Sequence, residues 1–161
     1  MKNTKAIGDI GEQIAAEYLE KEGYTILERN AEYAGCEADI ICSCYVRSDG
    51  TIVRRNAQKS NFISRFFNSK STNLQNTANK DFEKVIVFCE VKTRGGPDFG
   101  DGAEAVTPYK AGRYVTLAKA YVAKKFATDE NIRFDIIEVC DGKVNHIQNA
   151  FTTNDARFYR N

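Results

Sequence analysis

Three charged residues occur at every second position near the end of an apolar stretch. This stretch, VIVFCEVKTRGG at residues 85–96, contains Glu90, Lys92 and Arg94. Because side chains alternate between the two faces of a strand, the three charges should share one face. The packed face would then consist of the intervening apolar residues: Val85, Val87, Cys89 and Val91. Charged groups at the end of a buried strand cost desolvation free energy unless they are paired or coordinated, so this segment predicts either an ion pair or one wall of a site.

Two further acidic residues could complete a metal site with this strand. Asp39 lies in an apolar segment next to Ile40 and Ile41, and Glu12 lies in a helical segment. Two carboxylates on adjacent strands can hold a divalent cation through oxygen ligands, which suits Mg²⁺ or Mn²⁺. Such a cation polarises a phosphoryl oxygen and lowers the pKa of a bound water, and so promotes phosphodiester cleavage.

On this hypothesis Asp39 and Glu90 are the metal ligands. Lys92 lies about 6–7 Å along the strand from Glu90, where it could hold the attacking water or stabilise the charge of the transition state. Glu12 would bind the metal through water or position it. The alternative is a structural ion pair between Lys92 and either carboxylate. The acid-x-lysine pattern alone does not choose between the two, because Asp141-Gly142-Lys143 repeats it in a polar turn.

The first helix that must position these residues is predicted over residues 5–22, and it should end at Gly23. Its apolar residues recur near the helical period: Ile7, Ile10, Ile14, Tyr18 and Leu19. Gly8 and Gly11 lie in its first half, where each costs about 1 kcal/mol of helix propensity relative to alanine. We therefore expect both glycines to allow the close approach of a neighbouring element.

A second helix and five strands complete the predicted fold. Strands are predicted at 24–30, 38–46, 85–92, 132–140 and 143–151. The last two flank Asp141-Gly142, a strong hairpin signal. Thr107 and Pro108 should cap and begin the second helix. The order α-β-β-β-α-β-β predicts one α/β domain over residues 1–161, with a mixed central sheet flanked by helices.

A long insertion separates the two strands of the candidate site. Residues 47–84 are rich in Asn, Ser, Lys and Arg. Residues 42–84 contain eight Lys and Arg against three Asp and Glu, whereas residues 1–41 contain four against nine. This asymmetry suggests a polyanionic partner. The insertion is either a surface excursion, since this composition seldom packs, or an arm that faces nucleic acid.

Composition limits the class of protein. Of the 161 residues, 42% are apolar and 28% are charged, as in a globular domain. No apolar run approaches the length of a membrane span, and the first residues lack the apolar region of a signal peptide. We therefore expect a cytoplasmic protein without a membrane partner. The five cysteines form no CxxC pair, which favours reduced thiols over disulfides or a zinc site.

Six segments in register resemble one protein family. They are GDIGEQIAAEYLEKEGYTILERN, GCEADII, VFCEVKTR, FGDGAEAVTPYK with Arg113, RFDIIEV and HIQNAF. Together they resemble the YraN-like family of small bacterial proteins, over nearly the whole chain except about residues 47–84. The resemblance implies the restriction-endonuclease-like fold of the PD-(D/E)XK nucleases, close to the archaeal Holliday-junction resolvases.

The resemblance also implies roles for individual residues. Glu12 matches the helix glutamate of a resolvase-like site, Asp39 the first strand acid, and Glu90 with Lys92 the acid-x-lysine pair. The chain departs from the family's Gly-Glu-x-Asp by an extra residue, Cys36, so the turn into that strand must differ.

Three functions remain open on these grounds. The first is a Mg²⁺- or Mn²⁺-dependent nuclease that acts on structured nucleic acid, DNA above all, with Arg94, Lys110 and Arg113 in contact with phosphates. The second is a non-catalytic nucleic-acid-binding module on the same fold. The third is a scaffold or interaction protein whose site charges form only an ion pair. A homodimer is expected by analogy, because symmetric junctions suit two-fold enzymes.

Overall fold

The computed structural model describes residues 4–53, 82–94, 106–126 and 130–155. Its elements are α1 Thr4–Lys21, β1 Thr25–Tyr33, β2 Cys36–Arg47, β3 Phe82–Arg94, α2 Pro108–Lys125, β4 Asn131–Cys140, β5 Lys143–Phe151 and a 3-10 turn at Thr153–Asp155. The predicted order of elements is confirmed. Residues 54–81 of the predicted insertion lie outside the described residues, as do the glycine-rich residues 95–105. No helix within the described ranges is both long and apolar enough to span a membrane.

The five strands form one mixed sheet in the order β1-β2-β3-β4-β5. Neighbouring strands are antiparallel except for β3 and β4, which are parallel. A parallel pair needs a crossover connection, and α2 lies in the chain between these two strands. β3 is the middle strand of the five and lies between β2 and β4.

Each helix covers one face of the sheet, and β3 contributes side chains to both cores. On the α1 side, Val87 and Cys89 are fully buried in a cluster with Leu19. On the α2 side, Ile86 and Phe88 are fully buried in a second cluster. The predicted packed face of β3 is confirmed, since its remaining members, Val85 and Val91, are partly buried on the α1 side.

α1 ends at a glycine, as predicted. Gly23 has a φ of 97°. Its N–H donates to the carbonyl of Glu20 at 3.1 Å, and the N–H of Tyr24 donates to the carbonyl of Leu19 at 3.0 Å. These two bonds form a Schellman motif, and the buried Tyr24 and Leu19 belong to the same cluster, the apolar pairing that accompanies the motif. The motif fixes the direction in which β1 leaves the helix.

The first half of α1 differs from the prediction. Ile7 is 39% exposed and Ile10 is 60% exposed, whereas Ala15, Ala16 and Leu19 are buried. The predicted apolar stripe is therefore wrong for its first two members. Ile7 lines an open cavity beside the sheet rather than the closed core, and Ile10 belongs to neither core cluster.

The two glycines of α1 have different surroundings. A Cβ at Gly11 would lie 1.8 Å from Oγ1 of Thr93 on β3, so the helix can approach this strand so closely only with glycine there. A Cβ at Gly8 would have no atom within 4 Å. The predicted close approach is confirmed for Gly11 and wrong for Gly8.

α2 begins as its sequence predicts. The side chain of Thr107 accepts a hydrogen bond of 3.2 Å from the N–H of Lys110, and Pro108 is the first helical residue. This cap fixes the start of a helix whose first turn carries Lys110 and whose second carries Tyr114. Both residues reach the candidate site.

Two tight turns close the hairpins of the sheet. Asp141 and Gly142 have φ of 47° and 75°, and they connect β4 to β5. Ala34 and Gly35 have φ of 52° and 68°, and they connect β1 to β2. Positive φ at both central residues is typical of the type I′ turn. Cys36, the extra residue relative to the family pattern, follows the second turn directly as the buried first residue of β2.

The five cysteines are buried residues of the strands, with free thiols. Burial raises the pKa of Cys44 to about 11, which makes its thiolate scarce at neutral pH. Cys36, Cys42, Cys44 and Cys89 belong to the two core clusters, where they serve as small apolar residues.

Candidate active site

The candidate site lies where β2 and β3 stop pairing with each other. Ile40 and Cys89 are the last residues of the two strands in register at this end. The next residue on each strand is a carboxylate, Asp39 on β2 and Glu90 on β3. β3 continues beyond this point and stays paired with β4 as far as Arg94. The two acids thus lie where β2 and β3 stop pairing, a place called here the strand fork.

Asp39 occupies an irregular position in β2. Ala38 packs on the α2 side of the sheet, whereas Ile40 packs on the α1 side and Ile41 on the α2 side. The regular alternation of the strand therefore slips by one residue at Asp39. Its carboxylate accepts a hydrogen bond of 2.6 Å from the backbone N–H of Val91 on β3. This bond fixes the carboxylate in the gap between the strands.

The electrostatic surroundings of Asp39 disfavour its charged form. Burial is the main cause, and the negative charge of Glu90 adds to it, so that the pKa of Asp39 is raised to about 6. The Val91 N–H lowers this pKa and the charge of Glu12 raises it further. Like charges perturb a carboxyl group strongly only at short range. The charges of Glu90 and Glu12 therefore both act on Asp39, and the three residues are called here the acidic group.

Glu90 is held from the other side of the sheet by α2. It is 8% exposed, and Oη of Tyr114 donates a hydrogen bond of 2.8 Å to its Oε2. Nζ of Lys110 binds the other carboxylate oxygen, Oε1. Nζ of Lys92 lies 3.9 Å from that same oxygen. The ion pair foreseen between Glu90 and Lys92 is thus present, with Lys110 as the closer cation.

A cavity of about 260 Å³ opens beside Asp39 on the α1 side. It is lined by Ile7, Gly8, Glu12, Asp39, Val91 and Thr93. Two members of the acidic group, Glu12 and Asp39, therefore face a space that a small ligand could enter. The third member, Glu90, is not among these lining residues, and its carboxylate is held by Tyr114 and Lys110 on the α2 side.

The three residues predicted to contact phosphates all have protein partners. Lys110 binds Glu90, as described above. Nη2 of Arg113 donates a hydrogen bond of 2.9 Å to the carbonyl of Gly35 in the β1–β2 turn. Nε of Arg94 lies 3.4 Å from Oε1 of Glu138 on β4. Their contacts with phosphates remain predictions.

Comparison with known proteins identifies the family. The model of the Uncharacterised protein family UPF0102 matches residues 11–139. This chain belongs to the UPF0102 family. A UPF0102 protein of Caldanaerobacter subterraneus subsp. tengcongensis is 34% identical over 92% of this chain and 97% of its own length. A UPF0102 protein of Flavobacterium johnsoniae is 32% identical over 94% of this chain and 98% of its own length. The resemblance to the YraN-like family is thereby confirmed.

The donor set of this UPF0102 chain suits a metal that needs few protein ligands. Within the described parts of the chain, no three His, Cys, Asp or Glu side chains are arranged to hold a metal ion. Mg²⁺ commonly takes only one or two protein carboxylates and completes its shell with water and substrate oxygens. Asp39 and Glu90 provide that number, and a divalent cation would relieve their mutual repulsion.

Two residues near the site were not singled out from the sequence. The first is Tyr114 on α2, whose hydroxyl donates to Glu90. A buried tyrosine needs a hydrogen-bond partner, and this was the available signal. Glu138 is fully buried on β4. Its signal was an acidic residue between two apolar ones, Ile137 and Val139.

A second polar cluster of the UPF0102 chain lies at the other end of β4. The fully buried Asp135 accepts hydrogen bonds from Arg133 at 2.8 and 2.7 Å, and from the N–H of Asn149 at 2.9 Å. His146 bonds to it at 2.8 Å, and Arg133 also donates to Oη of Tyr24 at 2.7 Å. Burial opposes the charge of Asp135, but the bonds from His146 and Arg133 outweigh it and lower its pKa. The cluster ties β4 and β5 to the turn after α1, which is a structural role.

Proposed function

We propose that the protein is a Mg²⁺- or Mn²⁺-dependent nuclease with the restriction-endonuclease-like fold, which hydrolyses phosphodiester bonds in structured DNA. The observation that carries this proposal is the acidic group at the strand fork, with Lys92 and Lys110 beside it. A buried carboxyl group with a raised pKa beside a cavity, such as that of Asp39, marks a candidate functional site. A mixed sheet with one helix on each face supports the proposed fold.

The residues of the site would divide the chemistry among them. A bound metal would polarise the scissile phosphoryl group and lower the pKa of a water ligand. Asp39 and Glu90 would hold that metal, and Glu12 would orient its water from α1. Tyr114 fixes the carboxylate of Glu90, and the Val91 N–H fixes that of Asp39, so both groups are held in place before substrate binds. A metal at Glu90 would have to displace Lys110 from Oε1.

The cations of the site suit a phosphodiester substrate. Lys92 lies on the same face as Glu90, where its ammonium group would orient the attacking water and stabilise the negative charge of the transition state. Lys110 and Arg94 extend the positive charge along the α2 side. Such cations supply salt-dependent affinity that does not depend on base sequence.

The decisive experiment is cleavage of labelled branched, flapped and single-stranded DNA with Mn²⁺ or Mg²⁺. We expect Asp39→Asn and Glu90→Gln each to lower the rate by more than about 100-fold, since loss of an outer-shell partner alone costs 10–100-fold. Glu17→Gln is the matched control, because Glu17 is an exposed acid on the same helix as Glu12. Wild-type protein that cuts none of these substrates would contradict the proposal.

The ion pair of Lys110 with Glu90 favours a second candidate, a nucleic-acid-binding module without hydrolytic activity. In that case the lysine permanently neutralises the carboxylate. The module predicts DNA affinity that survives Asp39→Asn and falls steeply with salt, without cleavage. A scaffold protein, the third possibility, predicts no affinity for any nucleic acid even at low salt.

A further inference from the structure

Glu138 is a buried carboxylate that the proposed chemistry does not use. It is 0% exposed on β4 and lies in register with Lys92 of β3. Paired residues of neighbouring strands point to the same face, so Glu138 shares the face of Glu90, Lys92 and Arg94. A fully buried charge close to a candidate site requires an explanation.

The contacts of Glu138 compensate its burial only in part. Nδ2 of Asn145 on β5 donates a hydrogen bond of 3.0 Å to Oε2. Oε1 lies 3.4 Å from Nε of Arg94, yet among the described residues neither of these two buried atoms makes a hydrogen bond. A buried ion pair with imperfect geometry is often no more stable than apolar residues of similar size. Stability alone therefore does not explain why Glu138 is there.

The effect of Glu138 on Arg94 offers an explanation. The side chain of Arg94 is 38% exposed although its Nε atom is buried against Glu138. A guanidinium group has five N–H donors in a rigid planar fork. Since the Nε end is held inside, the exposed part of the side chain would be its Nη end. Arg94 lies about 13 Å along β3 from Glu90, so its Nη groups would meet a phosphate that flanks the one at the acidic group.

We propose that Glu138 is a positioning residue, which holds Arg94 so that its guanidinium binds a backbone phosphate of the nucleic acid next to the scissile one. This inference rests on the proposed function for the identity of the ligand. Asn145 contributes by fixing the second carboxylate oxygen of Glu138. Arg94 would thus bind phosphate near the strand fork, while the buried carboxylate of Glu138 holds it in position.

A double-mutant cycle on DNA binding tests the proposal without any metal. The probe is a fluorescein-labelled branched DNA, titrated in EDTA at several salt concentrations. We expect Arg94→Ala to weaken binding about tenfold and to reduce the slope of log affinity against log salt by about 1, as for the loss of one phosphate contact. Glu138→Gln should weaken binding about three- to tenfold while Arg94 is present, and should change nothing in the Arg94→Ala background.

The sign of the Glu138→Gln effect separates positioning from simple charge. Removing a negative charge should by itself strengthen DNA binding, and Glu83→Gln, at the other end of β3, is the control for that effect. A merely structural Glu138 would change the melting temperature but not the salt slope. The melting temperature of every variant is measured, to show that each is folded in the binding assay.

The outcomes distinguish this inference from the proposed nuclease activity. Unchanged or stronger binding by Glu138→Gln, or an equal loss in the Arg94→Ala background, would overturn the inference even if the protein cuts DNA. Wild-type protein that binds no DNA at low salt would overturn it as well. Binding that follows the expected cycle, without cleavage in Mn²⁺, would support the inference and remove the nuclease proposal.

Discussion

Asp39 holds its proton more tightly in the folded protein than in the unfolded chain, since its pKa is raised from 3.8 to about 6. The folded state therefore binds more protons than the unfolded state between about pH 4 and pH 6. The stabilising effect of that proton is complete below about pH 4 and is lost as the pH rises through 6. Asp39→Asn removes the charge but keeps an oxygen that can accept from the Val91 N–H.

We expect Asp39→Asn to be more stable than wild type at pH 7 in metal-free buffer, by at most about 3 kcal/mol. At pH 4 the two proteins should have nearly equal free energies of unfolding, because Asp39 is then protonated. Urea unfolding in EDTA at both pH values measures the difference. Asp9→Asn, at an exposed position of α1, is the control. An equal gain at pH 4 and pH 7 would show that the charge of Asp39 is not the cause.

Lys110 should compete with a divalent cation for Glu90, because its ammonium group already binds Oε1. We expect Lys110→Met to bind Mn²⁺ about three- to tenfold more tightly than wild type, and to bind DNA more weakly because a phosphate-facing charge is lost. Calorimetric titration of Mn²⁺ without DNA measures the first effect. Lys124→Met, at an exposed position near the end of the same helix, is the control. It should change the affinities for Mn²⁺ and for DNA less than Lys110→Met does. Weaker Mn²⁺ binding by Lys110→Met would instead make the lysine a structural support of Glu90.

The sequence was informative about residue types at the site and much less so about their partners. Alternation along β3 placed Glu90, Lys92 and Arg94 on one face, because period 2 is a local property of any strand. The bonds of Lys110 and Tyr114 to Glu90 depend on where α2 crosses the sheet. That position is set by packing between distant segments, so no local pattern contained it.

At the scale of elements, the contact of α1 with β3 depends on Gly11. Alanine there would gain about 1 kcal/mol of helix propensity, but its Cβ would lie 1.8 Å from Oγ1 of Thr93. We expect Gly11→Ala to destabilise the protein by about 1–3 kcal/mol, as overpacking does, because the helix must move away from the strand. Thermal unfolding measures the change.

Gly8→Ala is the matched control for that prediction, since no atom lies within 4 Å of its new Cβ. It should stabilise the protein by up to about 1 kcal/mol. The double variant Gly11→Ala with Thr93→Ala removes the shortest contact and should recover part of the loss. If Gly11→Ala were as stable as Gly8→Ala, this would contradict the claim that α1 packs so closely on β3 that only glycine fits at position 11.

The starts and ends of elements were the most predictable part of the fold. Thr107 with Pro108, Gly23, and Asp141 with Gly142 each act within four residues, so their effect can be deduced from local sequence. The exposure of Ile7 and Ile10 could not be deduced from local sequence. Helical periodicity indicates which residues share a face of α1, but not how far the sheet extends beneath that face.

At the scale of the whole molecule, the residues that flank the insertion and the acidic group lie at opposite ends of the same strand pair. Arg47 and Phe82, which flank residues 48–81, are in register across the β2–β3 pair. Asp39 is eight residues from Arg47, or roughly 26 Å along β2. A two-residue Asn-Gly turn could therefore replace residues 48–81 without moving the site strands. That replacement also removes the bridge between Val46 and Ile52 and the backbone hydrogen bonds that join residues 50–53 to Tyr45 and Arg47.

We expect the shortened protein to fold and to bind Mn²⁺ as wild type does, because the acidic group keeps all its contacts. Residues 48–81 carry six Lys and Arg against two Asp and Glu. If the insertion is an arm that faces nucleic acid, DNA affinity at low salt should fall by about tenfold or more, and the salt slope by about 2. Circular dichroism, Mn²⁺ calorimetry and DNA titration measure the three properties.

A full-length variant with those six basic residues changed to serine separates charge from length. An arm that acts through its charge predicts that this variant loses as much DNA affinity as the shortened protein. Full affinity in both variants would instead identify the insertion as a surface excursion, and would assign DNA binding to the cations around the strand fork. Loss of Mn²⁺ binding in the shortened protein, but not in the serine variant, would contradict the claim that the acidic group is independent of the insertion. It would require the insertion to support the acidic group across the length of β2.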